Sequence, residues 1–399
     1  MSDTPPPLPG SAPPPSERAG PPPQGAARAQ HQVTEQTRTY PCTACGGQLE
    51  FDIGLQKLRC PNCGNVQDII EDAGRVTAEQ DFRAALAAMN ERAASAGPQV
   101  VGEKEVVCQN CGGHTTFTGS LTSTRCPYCA TPIQRDDVHD APSRLPVDGV
   151  VPFRVDQHAA RKAVEDWINS RWFAPSEFKR YRTTGSFASV YASYFTYDAD
   201  TSTWYEGRRG DEYTVTVGEG DNERTETRVR WTDVSGQVHD VFDDVCILAN
   251  EGFDHDKVTA LEPWPTAEAR PFSAEYVAGH LCRTYDKDVE MCFGEAKQRM
   301  DAEIENSVRR DIGGDRQDVD RKETTFSGIT FKHLLLPIWL LTVVYAGRPF
   351  QVFINGITGE VQGERPWSRV KIAVAVVLAV IVIVVVAILW RSAGGDSGR

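Results

Sequence analysis

The sequence predicts an α+β protein that carries two small cysteine ribbons ahead of its main domain and one membrane-spanning helix behind it. Three observations predict this fold class. Eight cysteines fall into two groups that are related by a fixed offset of 66 residues. Residues 136–366 pass twice from helical to strand-like periodicity. Residues 372–390 form an unbroken run of 19 uncharged, almost wholly aliphatic residues.

The composition of the 399-residue chain changes sharply along its length, and these changes define the predicted domains. Ten of the 25 prolines lie in residues 1–39, which we expect to form a disordered, partly polyproline-II arm. Residues 136–366 hold 41 acidic and 27 basic residues. The predicted domains are the arm (1–39), ribbon 1 (40–67), a helical linker (68–104), ribbon 2 (105–135), an acidic α+β domain (136–366), a membrane anchor (367–391) and a tail (392–399).

Each group of four cysteines has the spacing of a metal-binding ribbon. Two Cys-x-x-Cys pairs make up each group, and 14 residues separate its inner cysteines. Such a pair can hold one tetrahedral metal ion at about 2.3 Å, and glycine beside it can take the positive φ of a tight turn. The fixed offset indicates two copies of one unit. The predicted ligands are Cys42, Cys45, Cys60 and Cys63 in ribbon 1, and Cys108, Cys111, Cys126 and Cys129 in ribbon 2.

Two structural zinc ions are the cofactors that this chemistry favours. Four cysteine ligands leave no open coordination position, so both sites are expected to be closed rather than catalytic. Units this small gain much of their folding free energy from the metal, and Phe51 and Phe117 are expected to pack beneath it. Rubredoxin-like iron uses similar turns and stays open as an alternative. Disulfides need an oxidising compartment, and no apolar secretion signal is present to indicate one.

A helix is predicted between the two ribbons, over residues 78–95. Thr77 to Gln80 read as a capping box, and Phe82, Leu86 and Met89 follow at helical spacing. We expect the helix to pack its apolar side on the ribbons or on a partner helix.

The acidic domain is predicted to be a duplicated unit, in which each copy is a helix packed on an antiparallel meander. In the first copy Asp156 caps a helix that runs to about residue 171, and residues 190–207 are read as strand, turn and strand. In the second copy a helical region starts at Ser273, and residues 334–363 form a meander with turns at Asn355-Gly356 and Thr358-Gly359. The apolar face of the second helix consists of Val289, Phe293, Ala296, Met300, Ile304 and Val308.

Residues 372–390 are predicted to cross a membrane. At about 1.5 Å per residue they span roughly 28 Å, close to the thickness of the hydrocarbon core. Trp367 and Trp390 stand at the expected interfaces. Basic residues are slightly denser before the run than after it, which favours a cytoplasmic N-terminal bulk. We therefore expect a tail-anchored, single-pass protein of the inner membrane.

Patterns for catalysis are weak in this sequence. It contains no Gly-Lys dipeptide, so a P-loop is excluded, and no small-molecule substrate is indicated. His239, Asp240, Asp243 and Asp244, with His255 and Asp256, could hold a divalent cation, but a solvated loop is the preferred interpretation. Cys246, Cys282 and Cys292 lack paired spacing and are expected to be buried free thiols.

Nucleic acid is disfavoured as a partner. Phosphate binding needs clustered Lys and Arg side chains, whereas four thiolates around one divalent ion add negative charge to each ribbon. Lys57, Arg59, Arg125 and Arg135 could form only a small basic patch. Protein contact is the favoured use of the ribbons.

The order of these motifs resembles one bacterial family. The two cysteine ribbons are followed by Tyr194-Phe-Thr-Tyr-Asp-Ala-Asp-Thr201, then by Arg310-Asp-Ile-Gly-Gly-Asp315, and then by residues 336–372, which lead into the apolar run. This order is similar to that of the membrane-anchored zinc-ribbon proteins described as TFIIB-type zinc ribbon-containing, some of which are called primosomal protein N′-like superfamily II helicases. The resemblance covers roughly residues 40–390.

The resemblance implies a role without catalysis. The sequence lacks the ATP-binding loop that a helicase requires, so its residues do not support the helicase name. Relatives in the family are associated with phage-shock-type coiled-coil proteins and SPFH-like proteins in envelope-stress modules. By this analogy the chain is expected to be a membrane scaffold that recruits cytoplasmic proteins, and a membrane-associated nucleic-acid-binding accessory is the alternative.

Overall fold

A computed structural model of the chain describes its helices, its strands and most of the acidic domain. The described residues are 33–36, 40–70, 77–95, 104–107, 114–117, 121–125, 132–134, 145–170, 186–218, 223–251, 253–345, 348–364 and 369–393. Its α-helices are α1 (Phe82–Ser95), α2 (Gln157–Asn169), α3 (His255–Thr259), α4 (Val289–Ile312) and α5 (Arg369–Ala393).

The described strands form a mixed α+β fold with these helices. They are β1 (Val33–Gln36), β2 (Glu50–Asp52), β3 (Lys57–Arg59), β4 (Val66–Gln67), β5 (Gln80–Asp81), β6 (Lys104–Val107), β7 (His114–Phe117), β8 (Leu121–Arg125), β9 (Pro132–Gln134), β10 (Gly149–Val150), β11 (Ser186–Val217), β12 (Arg224–Leu248), β13 (Arg270–Pro271), β14 (Leu281–Arg283), β15 (Arg316–Tyr345), β16 (Arg348–Asn355) and β17 (Val361–Gly363). Strand β1 lies within the segment that was predicted to be disordered, and it pairs in parallel with β6.

Three very long antiparallel strands dominate the main sheet. Strand β11 has 32 residues and lies between β12 and β15. The prediction of strand, turn and strand for residues 190–207 is therefore wrong, because these residues form one continuous strand. The Asp-Ala-Asp segment that suggested a turn is accommodated by an irregularity in register between Tyr197 and Ala199. Both neighbours keep pairing with β11 beyond it, and this tertiary pairing outweighs the local turn preference.

The two halves of the acidic domain meet in this one sheet and pair in a reciprocal way. Strand β10 lies parallel to β15, with Val150 opposite Leu335, and β14 lies parallel to β11, with Cys282 opposite Tyr191. A helix follows each of these short strands. The Asp156 carboxylate accepts a hydrogen bond from the Ala159 N–H at the start of α2, and Asp288 accepts one from the Met291 N–H at the start of α4, each at 2.7 Å.

Helix α4 provides the apolar layer over the long strands. Its predicted face is confirmed, because all six of the predicted residues are buried and they belong to one core cluster with β11, β12 and β15. The helix begins at Val289 rather than at Ser273, where the structure has only a short 3₁₀ turn, Ala274–Val277. Gly313 follows the helix with a φ of 65°, a conformation that glycine adopts without strain.

Helix α1 starts later than predicted and has a different cap. The Asp81 carboxylate accepts a hydrogen bond from the Ala84 N–H at 2.7 Å. Gln80 is not part of a capping box, because its backbone pairs with Phe331 in β15 and its side-chain amide donates to Asp148. Gln80 and Asp81, which the local motif assigned to the helix, therefore form a short strand at the sheet edge.

Helix α5 has 25 residues and coincides with the apolar run. Its described side chains, over 373–387, include eleven large aliphatic residues that are each about half exposed. In the part of the chain that the structure describes, no helix meets the length and hydropathy required of a membrane span. The membrane span over 372–390 therefore stays a prediction.

Candidate metal centre

Ribbon 1 is built from two tight turns with nearly the same backbone. In the first turn the Gly46 N–H donates to the Cys42 carbonyl at 2.8 Å, and in the second the Gly64 N–H donates to the Cys60 carbonyl at 2.9 Å. Gly46 and Gly64 have φ angles of 72° and 76°, which only glycine adopts readily. Each turn therefore directs its two cysteine side chains to the same side, as the Cys-x-x-Cys spacing predicted.

The four sulfur atoms of ribbon 1 converge on one point. All four lie within 4.8 Å of one another. The Cys42 and Cys63 sulfurs are 3.6 Å apart, and so are those of Cys45 and Cys60. A tetrahedral ion with metal–sulfur bonds of about 2.3 Å requires sulfur–sulfur distances of roughly 3.8 Å. The donor set therefore fits a tetrahedral metal ion, which Cys42, Cys45, Cys60 and Cys63 would hold.

Two further residues shape the site, and sequence reasoning missed both. The Asn65 side-chain amide lies 3.5 Å from the Cys42 sulfur and donates to it. Gly47 leaves room for the thiols, because a Cβ there would lie 3.3 Å from the Cys45 sulfur and 2.6 Å from the Asn62 amide nitrogen. Position 47 is the second glycine of the Cys-Gly-Gly sequence, so a signal for it was present.

The thiols of ribbon 1 differ in acidity. Burial tends to raise the pKa of Cys42, but the N–H groups of Ala44 and Cys45 and the Asn65 amide outweigh it and lower the pKa to about 6. Hydrogen bonding to the Cys63 backbone similarly lowers the pKa of Cys60. For Cys45 the Gly47 N–H lowers the pKa, but the neighbouring thiols of Cys63 and Cys60 raise it to about 12. Negative charge thus accumulates on part of the cluster, where a cation would be attracted.

The hairpin of ribbon 1, β2–β3, is docked on the rest of the domain. The Phe51 N–H donates to the Ala278 carbonyl at 3.0 Å, and the Phe51 ring packs edge-on against Tyr276 at a centroid distance of 5.5 Å. Gln56 closes the hairpin with a φ of 55° and donates from its side chain to the Phe153 carbonyl at 2.7 Å. Phe51 therefore ties the ribbon to the domain.

A cavity of about 660 Å³ lies where ribbon 1 meets the domain. Glu50, Asp52 and Asp156 line it, together with Phe187 and Trp339, and the Asp52 carboxylate is paired with Arg59 at 3.2 Å. The rings of Phe187 and Trp339 stack with centroids 5.0 Å apart. The cavity thus combines negative charge with an aromatic wall.

The ligands predicted for ribbon 2, Cys108, Cys111, Cys126 and Cys129, lie outside the described residues. Two pairings of ribbon 1 recur among the described residues of ribbon 2 at the 66-residue offset, whereas the β2–β3 pairing has no counterpart between the described residues of β7 and β8. Leu58 pairs with Gln67 in ribbon 1, and Thr124 pairs with Ile133 in ribbon 2. The bridge from Pro41 to Gln48 likewise corresponds to the pair Val107 and His114. The expected packing of Phe117 is also outside what the structure describes.

The predicted acidic stretch is not a solvated loop. His239, Asp240, Asp243 and Asp244 lie in β12, whereas His255 and Asp256 lie in α3. Asp243 and Asp244 come close to Asp198 on β11, within 4.8 Å. The Lys332 ammonium lies 2.8 Å from the Asp244 carboxylate, so a charge of this cluster is already compensated by the chain itself. The sequence pattern did not predict that Asp198 and Lys332 belong to this cluster, because they lie on two other strands.

The three remaining cysteines are buried free thiols, as predicted. Burial raises the pKa of Cys292 to about 12 and that of Cys246 still further. The Cys246 and Cys292 thiols are therefore protonated at neutral pH.

Comparison with known proteins gives one similarity along most of the chain. The chain is 25% identical over 338 residues to the "Uncharacterized protein YdjG" of Bacillus subtilis (strain 168), which covers 84% of this chain and 92% of that protein. No family model matches the chain. No solved structure matches it either.

Proposed function

We propose that this protein is a membrane-anchored zinc-ribbon scaffold that recruits cytoplasmic partner proteins to the inner membrane. The observation that carries the proposal is the convergence of the four sulfur atoms of ribbon 1 at distances that suit a tetrahedral ion. Such a site holds a fold in place, and it offers no position for a substrate. Because the metal site has no position for a substrate, we assign the ribbon surface to partner binding.

Zinc is the metal we propose for the site. Zinc suits four thiolates at these separations and has no redox chemistry, as a structural role requires. By the 66-residue repeat, ribbon 2 holds a second zinc ion through Cys108, Cys111, Cys126 and Cys129. Bound metal can be identified by elemental analysis, and two equivalents of zinc per chain are expected. Iron at the same sites would give a coloured protein and would contradict the assignment.

Helix α5 is the anchor in this proposal. The supporting observations are its 25-residue length, its uncharged run over 372–390 and the exposure of most of its described aliphatic side chains, over 373–387. Arg369 and Lys371 at its start favour a cytoplasmic position for the bulk of the chain. Anchoring raises the concentration of bound partners at the membrane surface without any further contact.

In this proposal a partner protein binds in the cavity beside ribbon 1 through one of the partner's basic side chains. Three acidic residues line the cavity, and its aromatic wall already accepts a cation, because the Arg161 guanidinium lies 4.6 Å from the centre of the Phe187 ring. A lysine or arginine from a partner protein would meet this negative charge. Ribbon 1 forms one wall of this cavity, so loss of its metal would remove that wall.

Affinity capture of the full chain from membranes, followed by identification of the bound proteins, tests the proposal. Cys60→Ser is expected to lose one equivalent of zinc and the captured partners, while the chain stays in the membrane fraction. Cys246→Ser is the matched control, since it replaces a buried cysteine outside the metal site and should change neither property. The double variant Glu50→Gln/Asp52→Asn should keep its zinc and lose partners, which separates the cavity from the fold of the ribbon.

Three outcomes would contradict the proposal. Retention of the same partners by Cys60→Ser would show that ribbon 1 is not the docking surface. Release of the wild-type chain from membranes by a salt wash would contradict the anchor. DNA or RNA binding by the full chain that falls steeply with salt concentration would indicate the nucleic-acid alternative instead.

A further inference from the structure

Strand β12 is a long outer strand of the main sheet. It pairs with β11 from Leu248, opposite Tyr194, to Arg224, opposite Val217. Among the described strands β11 is its one neighbour. At about 3.3 Å per residue its 25 residues present an edge of roughly 80 Å. An edge of this length is a template for pairing with another chain.

Helix α4 lies over one face of β12 and stops partway along it. A Cβ at Gly207 would lie 3.1 Å from the last side chain of the helix, Ile312, and Gly207 pairs with Val234. From Val234 toward Leu248 the strand is therefore covered by α4, and from Arg224 to Asp233 it extends beyond the helix. The portion of β12 beyond the helix has 10 of its 25 residues, and the covered portion after Val234 has 14.

The charges on β12 are divided between these two portions. Residues 224–233 hold three arginines, one glutamate and one aspartate, and residues 235–248 hold three aspartates. An edge that carried charges of one sign along its whole length would repel a second copy in every register. On β12 the two signs are separated, so an antiparallel second copy would bring the basic portion of one strand against the acidic portion of the other.

A register centred on Val234 places the covered portion of one copy beside the extended portion of the other. When Val234 lies on the two-fold axis, Arg228 is opposite Asp240 of the second copy. These residues share the α4 side of the strand, because Asp240 pairs with the buried Thr201. The Ser307 hydroxyl donates to the Asp240 carboxylate at 2.6 Å and holds it in place on that side.

The other face of β12 matches in the same register. Val241 is 79% exposed in the single chain, an unusual state for a β-branched residue on a strand. In the two-fold arrangement it lies opposite Thr227 of the second copy, and such β-branched cross-strand pairs stabilise sheets. Asp233 lies opposite Ser235 next to the axis.

We propose that β12 pairs antiparallel with β12 of a second copy of this chain, centred on Val234. The two three-stranded arms then form one continuous six-stranded sheet. Each portion of β12 that extends beyond α4 lies beside the α4-covered portion of the other copy. This inference goes beyond the scaffold function and requires neither the metal nor the membrane.

Cysteine cross-linking of the full chain in detergent micelles tests the register. The double variant Asp233→Cys/Ser235→Cys should form a covalent dimer under mild oxidation, because these positions face each other across the axis. The double variant Asp233→Cys/His239→Cys is the matched control and places its second thiol four residues out of register. Equal cross-linking of the two variants, or none for the first, would overturn the proposed register.

Sedimentation of the full chain in the same micelles tests the charge pairing. The wild type should have the mass of two chains. Arg228→Asp should raise the dissociation constant about tenfold or more, because two like-charge pairs then oppose each other. Arg228→Asp/Asp240→Arg should restore it. Met291→Ala, at an exposed residue at the other end of α4 from Ile312, should leave the dimer intact.

A wild type with the mass of one chain at every concentration would overturn the proposal. A dimer that Arg228→Asp leaves unchanged would overturn it as well, since association would then use another surface. Loss of zinc by Cys60→Ser should not alter the mass, so failure of the scaffold function and failure of this inference give different results.

Discussion

Ribbon 1 and the α4 layer show two different ways of holding chain segments together. Within ribbon 1, Leu49, Phe51 and Leu58 are the buried hydrophobic residues other than cysteines, and its two turns are joined through four sulfur atoms. Helix α4 buries eight residues against the long strands. The first region depends on a ligand and the second on apolar area. We therefore expect each region to fail under a different perturbation.

The largest expected effect is the loss of ribbon 1 on removal of its metal. Chelation or Cys60→Ser should unfold residues 40–67, because zinc binding to such units supplies roughly 10–16 kcal/mol of apparent folding free energy. Hydrogen exchange measured by mass spectrometry should show fast exchange in these residues and continued protection in β11, β12 and β15.

Two observations would break this comparison. Uniform loss of protection across the long strands would mean that the ribbon and the α4 layer unfold together. Continued protection of residues 40–67 without metal would mean that the three buried apolar residues are sufficient. Cys246→Ser should behave as the wild type in both respects.

A core truncation in α4 should give the next largest effect and should reverse the pattern. Ile304 is fully buried, and Ile304→Ala is expected to destabilise the domain by about 2–5 kcal/mol through lost burial and a residual cavity. Chemical denaturation followed by circular dichroism measures this change, and zinc content should stay the same. Met291→Ala, at a residue 56% exposed on the same helix, should change stability by less than about 0.5 kcal/mol. A similar loss from both variants would contradict the assigned packing.

The features that the sequence predicted well are those with a short repeat. The buried face of α4 follows helical periodicity from Val289 to Val308, so its position was readable without knowledge of its partner strands. The cysteine cluster was likewise readable, because each half of it is only four residues long. Local spacing determines both features.

The features that the sequence predicted poorly depend on distant residues. The Asp-Ala-Asp segment of β11 favours a turn by composition, but pairing with β12 and β15 on both sides keeps it extended. Gln80 has the sequence of a capping residue, yet the edge of β15 pairs with it. The contact between Lys332 and Asp244 joins two strands that are far apart in sequence. Periodicity along one segment carries no information on such pairs.

The contact between ribbon 1 and the domain can be weakened without loss of either region. Gln56 donates to the carbonyls of Ile53 and Phe153, each at 2.7 Å. Gln56→Ala removes both bonds and should weaken the docking by about 1–3 kcal/mol. Hydrogen exchange of β2 should accelerate while zinc stays bound. Gln67→Ala is the control, because that side chain bonds to Thr43 within ribbon 1. Equal effects of the two variants would show that the Phe153 contact does not hold the ribbon.

The smallest expected effect is a pH dependence at Asp198, in the sheet below both regions. Burial raises the pKa of Asp198 to about 6; the Asp244 N–H opposes this shift, whereas the nearby Glu79 carboxyl adds to it. Between its ordinary value near 3.9 and about 6, the folded chain therefore holds a proton that the unfolded chain has released. Stability from this group is present at the acid end of that window and falls as pH rises through it.

Asp198→Asn removes the titrating carboxyl group. The variant should become more stable relative to the wild type as pH rises from 4 to 6. The final gain should be about 1 kcal/mol after allowance for solvent screening. Denaturation at fixed zinc concentration across that range measures the difference. Asp244 cannot produce the same trend. Burial tends to raise the pKa of Asp244, but its bonds to Lys332 and Thr266 outweigh burial and lower the pKa, so Asp244 acts below the window. Asp200→Asn, an exposed carboxylate on the same strand, is the control. A difference between Asp198→Asn and wild type that is constant with pH would mean that Asp198 is already ionised at pH 4, and the charge balance around Lys332 would have to be assigned anew.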